Sequence, residues 1–229
     1  MTESTPPPGL ALKDAKLLLK HPYLSMEAGV AHTEDGMTHI AASTYMKSCT
    51  GAMIDWWFGW IHNTEQYKLW HPRDHVFSDW EGPRENNSTY IGGHHLVHEY
   101  IGGELQKLEI SFKDPSEYFG PGWQTAFQNA GYSTAICGRT GMWDDENNHV
   151  TYVGHLIHLI KTEPDGVRMR SRFWLGDVDG LTDPEIRKAS VPDEFAKGLL
   201  QHATEEMAIL ATVLPDLYHK FSGVGAEKL

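Results

Sequence analysis

Two side chains on one predicted helix have the chemistry of a divalent-metal site. His202 and Glu206 are four residues apart, so a helix places the imidazole and the carboxylate side by side. Both occupy a stripe whose other positions are apolar: Phe195, Leu199, Leu210 and Val213. A carboxylate that faces an apolar interior is costly unless a positive or hydrogen-donating group meets it. Imidazole and carboxylate together suit zinc, whereas a plain His–Glu ion pair is the alternative interpretation.

Three other histidine groups could supply further ligands. The first is His71 and His75, in a loop whose backbone freedom is limited by Pro72. The second is the segment 94–101, read as a strand with alternating faces. One face would carry His95, Val97, Glu99 and Ile101, and the other His94, Leu96, His98 and Tyr100. The pattern does not decide which face is buried.

A third group, His155 and His158, lies in a predicted hairpin, where the two side chains point to opposite faces. If residues 163–166 form a four-residue turn, His158 lies opposite Ser171, on the face that we expect to point at the core. A three-residue turn would instead select His155. Periodicity leaves both assignments open.

The His–Glu pair needs a long helix, and residues 191–213 have the periodicity of one. Ser190 can cap the free amides at its start, and Pro192 suits the first turn. Pro215 is expected to end the helix. Two shorter helices are predicted much earlier in the chain, over residues 51–62 and 64–70, with Asn63 or Thr64 as the cap of the second.

The rest of the chain predicts a mostly antiparallel sheet. Its strands are expected over residues 38–46, 89–100, 105–112, 132–138, 150–161 and 167–175. In the last of these, Arg168, Arg170 and Arg172 alternate with less polar residues, so we expect the arginine side to face water. The apolar side of such a sheet needs a cover, and the C-terminal helix is the best candidate. We therefore predict an α+β fold in which a curved sheet grips that helix, with a pocket between them.

The length, charge and cysteine content of the chain limit the functions that it can have. The 229 residues suit one main core, and we place the main domain at residues 48–223, preceded by an arm with short elements at residues 1–47. A formal charge of -12 argues against nucleic acid as a binding partner. The sequence contains neither a long apolar run nor the pattern of a signal peptide, so we expect no contact with a membrane. We expect a cytoplasmic protein with a small-molecule partner. Cys49 and Cys137 lack the spacing of a zinc site or a disulfide framework, so a metal would require histidine and carboxylate.

Five segments, taken in order, resemble a known family. They are Asp-Trp-Trp-Phe-Gly-Trp at 55–60, Tyr-Lys-Leu-Trp-His-Pro-Arg-Asp-His at 67–75, His-Leu-Val-His-Glu-Tyr-Ile-Gly at 95–102, Met-Arg-Ser-Arg-Phe-Trp-Leu-Gly at 169–176 and His-Ala-Thr-Glu-Glu at 202–206. The chain resembles the zinc-dependent carbon–carbon hydrolases that include 2,4-diacetylphloroglucinol hydrolase and phloretin hydrolase. The resemblance implies a helix-grip fold of the Bet v 1/START type, with a catalytic zinc ion in its cavity.

The resemblance also implies site residues. The metal ligands of the family fall on His75, Glu99, His202 and Glu206, its active-site tyrosine on Tyr67 and its further active-site histidine on His158. Ser78 and Phe173 stand at substrate-binding positions where diacetylphloroglucinol hydrolases carry asparagine and tyrosine. The natural substrate is therefore expected to differ in how its phenol oxygens are held.

The implied reaction is zinc-dependent hydrolysis of the bond between an acyl group and a phloroglucinol-type ring, which releases a carboxylic acid. The substrate would be a small phenolic ketone, and a homodimer is one assembly that we consider. Trp56, Trp57, Trp60 and Trp70 could form an aromatic wall, although core packing is the better explanation for most of them. Two alternatives remain: a non-catalytic helix-grip binding protein for an apolar ligand, and a metal-free polyketide cyclase or aromatase. Metal content separates both from the hydrolase.

Overall fold

The computed structural model describes residues 8–20, 23–82 and 89–223 of the chain. Residues 1–7, where the predicted arm begins, lie outside this range. Eight strands form a single sheet: β1 (Gly29–His32), β2 (Thr38–Lys47), β3 (His75–Glu81), β4 (His94–Ile101), β5 (Glu104–Lys113), β6 (Tyr132–Asp144), β7 (His149–Glu163) and β8 (Gly166–Leu175). Their order is β1-β2-β8-β7-β6-β5-β4-β3, and every neighbouring pair is antiparallel.

Six α-helices and one 3-10 helix accompany the sheet in the described ranges. They are the 3-10 helix Leu12–Leu19 and the helices α1 (Gly51–Trp60), α2 (Thr64–Trp70), α3 (Ser116–Phe119), α4 (Trp123–Ala130), α5 (Pro184–Ala189) and α6 (Asp193–Phe221). Asn63 caps α2, as predicted, because its side chain accepts the amide of Gln66 at 3.0 Å. The sequence patterns did not indicate β1, β3 or helices α3, α4 and α5.

The sheet wraps one face of α6, which confirms the predicted α+β helix-grip fold. Leu199 and Ala203 on α6 pack into one apolar cluster with Phe173 and Leu175 of β8. One turn further on, Met207, Leu210 and Leu214 pack into a second cluster, which contains the α1 residues Ile54, Trp57 and Phe58. The helix thus connects two parts of the core. Within the described ranges, no helix has both the length and the apolarity needed to cross a bilayer.

The ends of α6 differ from the prediction. Ser190 does not cap the helix: its hydroxyl donates to the carbonyl of Arg187 at 2.7 Å, and α6 begins at Asp193 after Pro192. Pro215 does not end the helix either, since α6 continues to Phe221. A proline leaves the carbonyl four residues earlier without its amide partner. Here that carbonyl belongs to Ala211, and the thiol of Cys49 lies 3.8 Å away as a donor, which together with packing of Leu214 accommodates the proline.

The arginine side of β8 is buried, contrary to prediction. Arg170 and Arg172 are both 0% exposed. Glu27 binds Arg170 through two contacts of 2.7 and 2.8 Å and Arg172 through one of 2.8 Å. The carbonyl of Leu18, in the 3-10 helix, also accepts from Arg170. An alternating pattern of arginines shows that one face of a strand is polar, but not whether that face meets water or a carboxylate from another segment. Here the segment before β1 supplies the carboxylate and covers this face of the sheet.

Glu27→Gln is expected to destabilise the protein by about 2 kcal/mol, since it leaves two buried guanidinium groups without their carboxylate; the side chain of Glu27 is partly exposed, which moderates the cost. Urea unfolding measures the change. Glu163→Gln is the matched control because Glu163 pairs with Arg168 nearer the surface, where the expected loss is at most about 0.5 kcal/mol. Equal losses in the two variants would contradict the special role of Glu27.

Strands β1 and β2 belong to the same sheet as the strands that follow residue 48, because β2 pairs with β8 along its whole length. The sequence suggested a domain boundary between residues 47 and 48. In the structure this position is the end of β2, just before the loop that leads to α1, and the strands on both sides of it form one continuous sheet.

Candidate functional site

A cavity of about 330 Å³ lies between the sheet and α6. Its wall is mainly apolar and comes from β4 to β8, α1, α2 and α6. Among the side chains with ionisable groups that line it are Tyr67, His95, Glu99, His158, His202 and Glu206. An apolar cavity with a few convergent polar groups is the usual form of a small-molecule site.

Two strands and one helix position the four predicted metal ligands. His75 is the first residue of β3 and pairs in register with Glu99 of β4. His202 and Glu206 are on the face of α6 that the sheet covers, four residues apart. The turn after β4 touches the helix at Gly198: a Cβ atom added there would lie 2.8 Å from the Cα of Gly102. Glycine at position 198 therefore allows the end of β4 to approach α6 about one turn before His202, and glycine at position 102 suits the positive φ of the turn.

The four side chains converge on one point. The Nε2 atom of His75 is 3.6 Å from the nearest carboxylate oxygen of Glu99 and 3.6 Å from that of Glu206. The Nε2 atom of His202 is 3.8 and 3.9 Å from the same two oxygens. All four residues are buried. His75, Glu99 and His202 have ligand atoms within 4.8 Å of one another, which is close enough for a shared ion.

The tautomer of His75 indicates what the centre can hold. Its Nδ1 atom lies 3.1 Å from the backbone carbonyl oxygen of Tyr67, which can only accept, so Nδ1 carries the proton. In the neutral imidazole the lone pair of Nε2 therefore points at the carboxylates of Glu99 and Glu206. Neither this atom nor Nε2 of His202 has a hydrogen-bond partner among the described residues. A lone pair and carboxylates that face one another in a buried site are unfavourable unless a cation, either a metal ion or a proton, lies between them.

The electrostatics of the centre agree with this requirement. Burial opposes ionisation of Glu99, but His202 and His75 hold the pKa of its carboxyl well below the usual range. Burial likewise lowers the pKa of His202, but Glu99 and Glu206 outweigh that effect and raise it to about 9. Without a metal, a proton on His202 thus serves as the cation. Two imidazoles and two carboxylates are a donor set that fits zinc.

Tyr67 supports two of these groups at once. Its hydroxyl donates to Glu99, its ring stacks on the ring of His75 at 3.8 Å with an interplanar angle of 7°, and its carbonyl accepts from His75. Burial and the charge of Glu99 raise the pKa of Tyr67 well above its ordinary value, so that the phenol remains protonated. The tyrosine therefore fixes the orientation of both a histidine and a carboxylate.

His158 faces the cavity, whereas His155 does not line it. Thr162 pairs with Val167, which is the register expected for a turn at 163–166, and His158 lies opposite Ser171. The Nδ1 atom of His158 is 2.8 Å from the hydroxyl oxygen of Ser171. Burial lowers the pKa of His158 to about 4, so its imidazole is neutral near pH 7. His155, on the other face of the sheet, contacts Asp177 at 2.9 Å.

The two positions predicted to bind substrate differ in how they meet the cavity. Phe173 lines it directly and packs edge-on against His158, with ring centroids 5.8 Å apart. Ser78 is buried behind the wall, where its hydroxyl oxygen lies 2.7 Å from Nε2 of His95. His95 lines the cavity. The sequence placed His95 on the strand face of Glu99 but gave it no role, although that shared face was the signal that could have identified it.

The four tryptophans mostly belong to the core. Trp70 lines the cavity, and its ring packs edge-on against His75 at 5.3 Å. Trp57 is fully buried in the apolar cluster around α1, and Trp56 and Trp60 stack on each other at 5.0 Å beside that cluster. The core-packing interpretation therefore describes three of the four, and one contributes to the wall.

Two solved structures match this chain at low sequence identity. Protein Ms6760 from Mycobacterium smegmatis superposes with a TM-score of 0.49 and 14% identity, covering 82% of this chain and 98% of that one. Ara h 8.0201 superposes with a TM-score of 0.47 and 10% identity, covering 79% of this chain and 99% of that one.

Curated relatives match most of the chain at higher identity. A phloretin hydrolase from Eubacterium ramulus is 31% identical over 214 residues, which cover 86% of this chain and 72% of the relative. A 2,4-diacetylphloroglucinol hydrolase from Pseudomonas protegens is 26% identical over 232 residues, covering 92% of this chain and 74% of the relative. Residues 10–219 match the family described as the DAPG hydrolase PhiG domain. The match includes the whole sheet, nearly all of α6 and the four converging side chains, and the chain therefore belongs to this family.

Proposed function

We propose that this protein is a zinc-dependent hydrolase that cleaves the carbon–carbon bond between an acyl group and a phloroglucinol-type ring. The names of the relatives support the reaction and the substrate class. The observation that carries the zinc requirement is the pair of buried Nε2 atoms, on His75 and His202, that face two carboxylates without a hydrogen-bond partner in the described part of the chain. A zinc ion held there would give both nitrogen atoms and both carboxylates a partner.

His75, Glu99, His202 and Glu206 would hold the metal ion. Zinc bound there would supply Lewis acidity for the acyl carbonyl and a water molecule whose pKa falls toward about 7. The two carboxylates offset the charge of the ion, and burial of all four groups keeps competing water away from them. The remaining chemistry concerns protons on the phenolic ring.

His158 is proposed to move the proton on which cleavage depends. Its neutral imidazole can accept the proton of a ring hydroxyl and return it to the ring carbon that bears the acyl group. The ring then takes a keto form, from which the carbon can leave as a stabilised enolate. Overall, water contributes a hydroxyl group to the acyl carbon and a hydrogen atom to the ring carbon, so the products are a carboxylic acid and the deacylated phenol.

The cavity wall would orient the ring for this transfer. Phe58 stacks against His158 with ring centroids 6.0 Å apart, and Phe173 packs edge-on against the same imidazole. A flat phenolic ring can lie between such side chains, because aromatic pairs favour stacked and edge-on contacts. His95, whose Nε2 atom lies 2.7 Å from the hydroxyl oxygen of Ser78, makes another part of the wall polar.

Tyr67→Phe is expected to retain zinc and to lower kcat by about 10-fold. The change removes the hydroxyl that donates to Glu99 and keeps the ring that stacks on His75. Zinc content of the purified variant and steady-state kinetics measure the two effects. Tyr90→Phe is the matched control, since Tyr90 is a buried core tyrosine that donates to Asp55 outside the cavity. Unchanged kinetics in the Tyr67 variant would remove this residue from the mechanism.

The direct test uses purified protein, zinc-loaded or chelator-treated, with monoacetylphloroglucinol, 2,4-diacetylphloroglucinol and phloretin as substrates. We expect acid release from at least one ketone, loss of release after chelation and recovery after zinc is returned. Zinc-loaded protein that binds these ketones without releasing acid would instead indicate a carrier. Cyclisation of a polyketide that survives complete metal removal, without acid release from the ketones, would indicate the metal-free cyclase alternative. Acid release that survives complete metal removal would contradict the zinc requirement.

A further inference from the structure

A second group of side chains adjoins the four-residue centre on the side away from the carboxylates. The other ring nitrogen of His202, Nδ1, lies 3.6 Å from an Oδ2 oxygen of Asp74, and Nε2 of His71 lies 3.5 Å from the same oxygen. Both nitrogen atoms are buried and lack a hydrogen-bond partner in the described ranges. The loop that ends at β3 thus presents a carboxylate to the back of a predicted metal ligand.

Asp74 is held firmly at this position. Arg73 donates to both of its carboxylate oxygens, at 2.8 and 3.1 Å, and also to Glu205 on α6 at 3.0 Å. The backbone carbonyl of Asp74 accepts the amide of Tyr100, at 2.9 Å, which joins the loop to β4. The carboxylate is therefore connected both to the helix that carries His202 and to the strand that carries Glu99.

We propose that Asp74 is a positioning residue for His202. Coordination of a metal through Nε2 would leave the proton of His202 on Nδ1, which faces the Asp74 oxygen at 3.6 Å. A small rotation of the ring would bring this proton within hydrogen-bond distance of the carboxylate, while the lone pair of Nε2 points to where Glu99 and Glu206 meet. A carboxylate behind a ligating imidazole fixes the tautomer and the ring orientation and makes the nitrogen a better donor to a metal. The proposal rests on the proposed metal centre and extends it beyond its four ligands.

A second metal ion between His71, Asp74 and His202 is the competing explanation of the same geometry. The hydrogen bonds disfavour it. Nδ1 of His71 accepts the backbone amide of Asp74 at 3.2 Å, so in the neutral imidazole Nε2 carries the proton and has no lone pair for a metal. Asp74 is also already neutralised by Arg73, which would repel a further cation. His71 therefore turns a protonated nitrogen, and no lone pair, toward Asp74.

The test measures zinc affinity by competition with a chromophoric chelator in the wild type, Asp74→Asn and Glu205→Gln. Glu205 contacts the same Arg73 and His71 as Asp74 but belongs to the outer side of α6, which makes it the matched control. We expect the Asp74 variant to bind zinc about 10- to 100-fold more weakly and the Glu205 variant to stay within about 2-fold of the wild type. The stoichiometry is expected to be about one zinc ion per chain in all three proteins.

A second measurement covers the case in which Asp74→Asn folds poorly. Nitrogen-15 NMR of histidine-labelled wild type with zinc bound should show a proton on Nδ1 of His202 and coordination through Nε2. The opposite tautomer, two zinc ions per chain, or unchanged affinity in a folded Asp74 variant would each overturn the proposal. A wild type that binds zinc but does not hydrolyse acylphloroglucinols contradicts the proposed function alone. A wild type that binds no zinc contradicts both.

Discussion

Substitution of His202 by alanine is expected to abolish zinc binding and to lower kcat/KM by about 10³-fold, because several kcal/mol of transition-state stabilisation would be lost with the ion. The substitution removes one of the two nitrogen donors. Glu99 and Glu206 then lose the imidazole that each of them faces. The fold should persist, since the neighbouring α6 residues Leu199, Ala203 and Met207 still pack against the core.

His155→Ala is the matched control for this experiment. His155 is another largely buried histidine with a carboxylate partner, Asp177, but it lies on the opposite face of the sheet from the cavity. It should keep its zinc ion and its activity, while circular dichroism confirms that both variants are folded. Full activity of His202→Ala, or native active protein that contains no zinc, would refute the proposed centre.

The sequence was sufficient to predict one side of this site because helical spacing is a local property. His202 and Glu206 interrupt an apolar stripe of their own helix, so their inward direction follows from residues within a few turns. The helix itself and the antiparallel hairpins around it could also be predicted from residues that are close together in the chain. The fold class followed from these elements, since a one-sided sheet followed by one long amphipathic helix has few ways to bury both apolar surfaces.

The other side of the site depends on register, which periodicity alone does not determine. His75 reaches Glu99 only because β3 pairs with β4, and β3 was not indicated as a strand by its sequence. The choice between His155 and His158 required the pairing of Thr162 with Val167. A shift of one residue would have reversed every side chain in that strand. The resemblance to a family supplied the ligand set at positions where local pattern left alternatives open.

Contacts between distant segments explain the remaining errors. The alternating arginines of β8 have the pattern of a solvated face, and only Glu27, 143 residues before Arg170, makes their burial tolerable. Pro215 has the signature of a helix end, but Leu214 packs in the core and the thiol of Cys49 meets the carbonyl that the proline leaves free. Both errors come from a partner that is remote in sequence and adjacent in space.

His158→Asn is expected to retain zinc and to lower kcat by about 10²-fold, which is a typical contribution of a positioned proton-transfer group. Asparagine can keep a contact with Ser171 in place of Nδ1, but it lacks the Nε2 atom that would exchange a proton with the ring. The contrast with His202→Ala is diagnostic: His202→Ala loses the metal, whereas His158→Asn keeps the metal and loses turnover. Zinc content measured beside kcat distinguishes them, and a His158 variant with wild-type kcat would exclude proton transfer by this residue.

The same substitution predicts a change in acid stability that does not depend on catalysis. Burial lowers the pKa of His158 to about 4 in the folded protein, whereas an unfolded histidine has a pKa of about 6.5. Between these values the unfolded chain binds the proton more readily, so wild-type stability falls as the pH decreases from about 6.5 to about 4. Relative to His158→Asn, the metal-free wild type should lose about 3 kcal/mol across that interval and nothing further below it. Urea unfolding of both metal-free proteins at several pH values measures this difference, and parallel stability curves would show that His158 is not held neutral by burial.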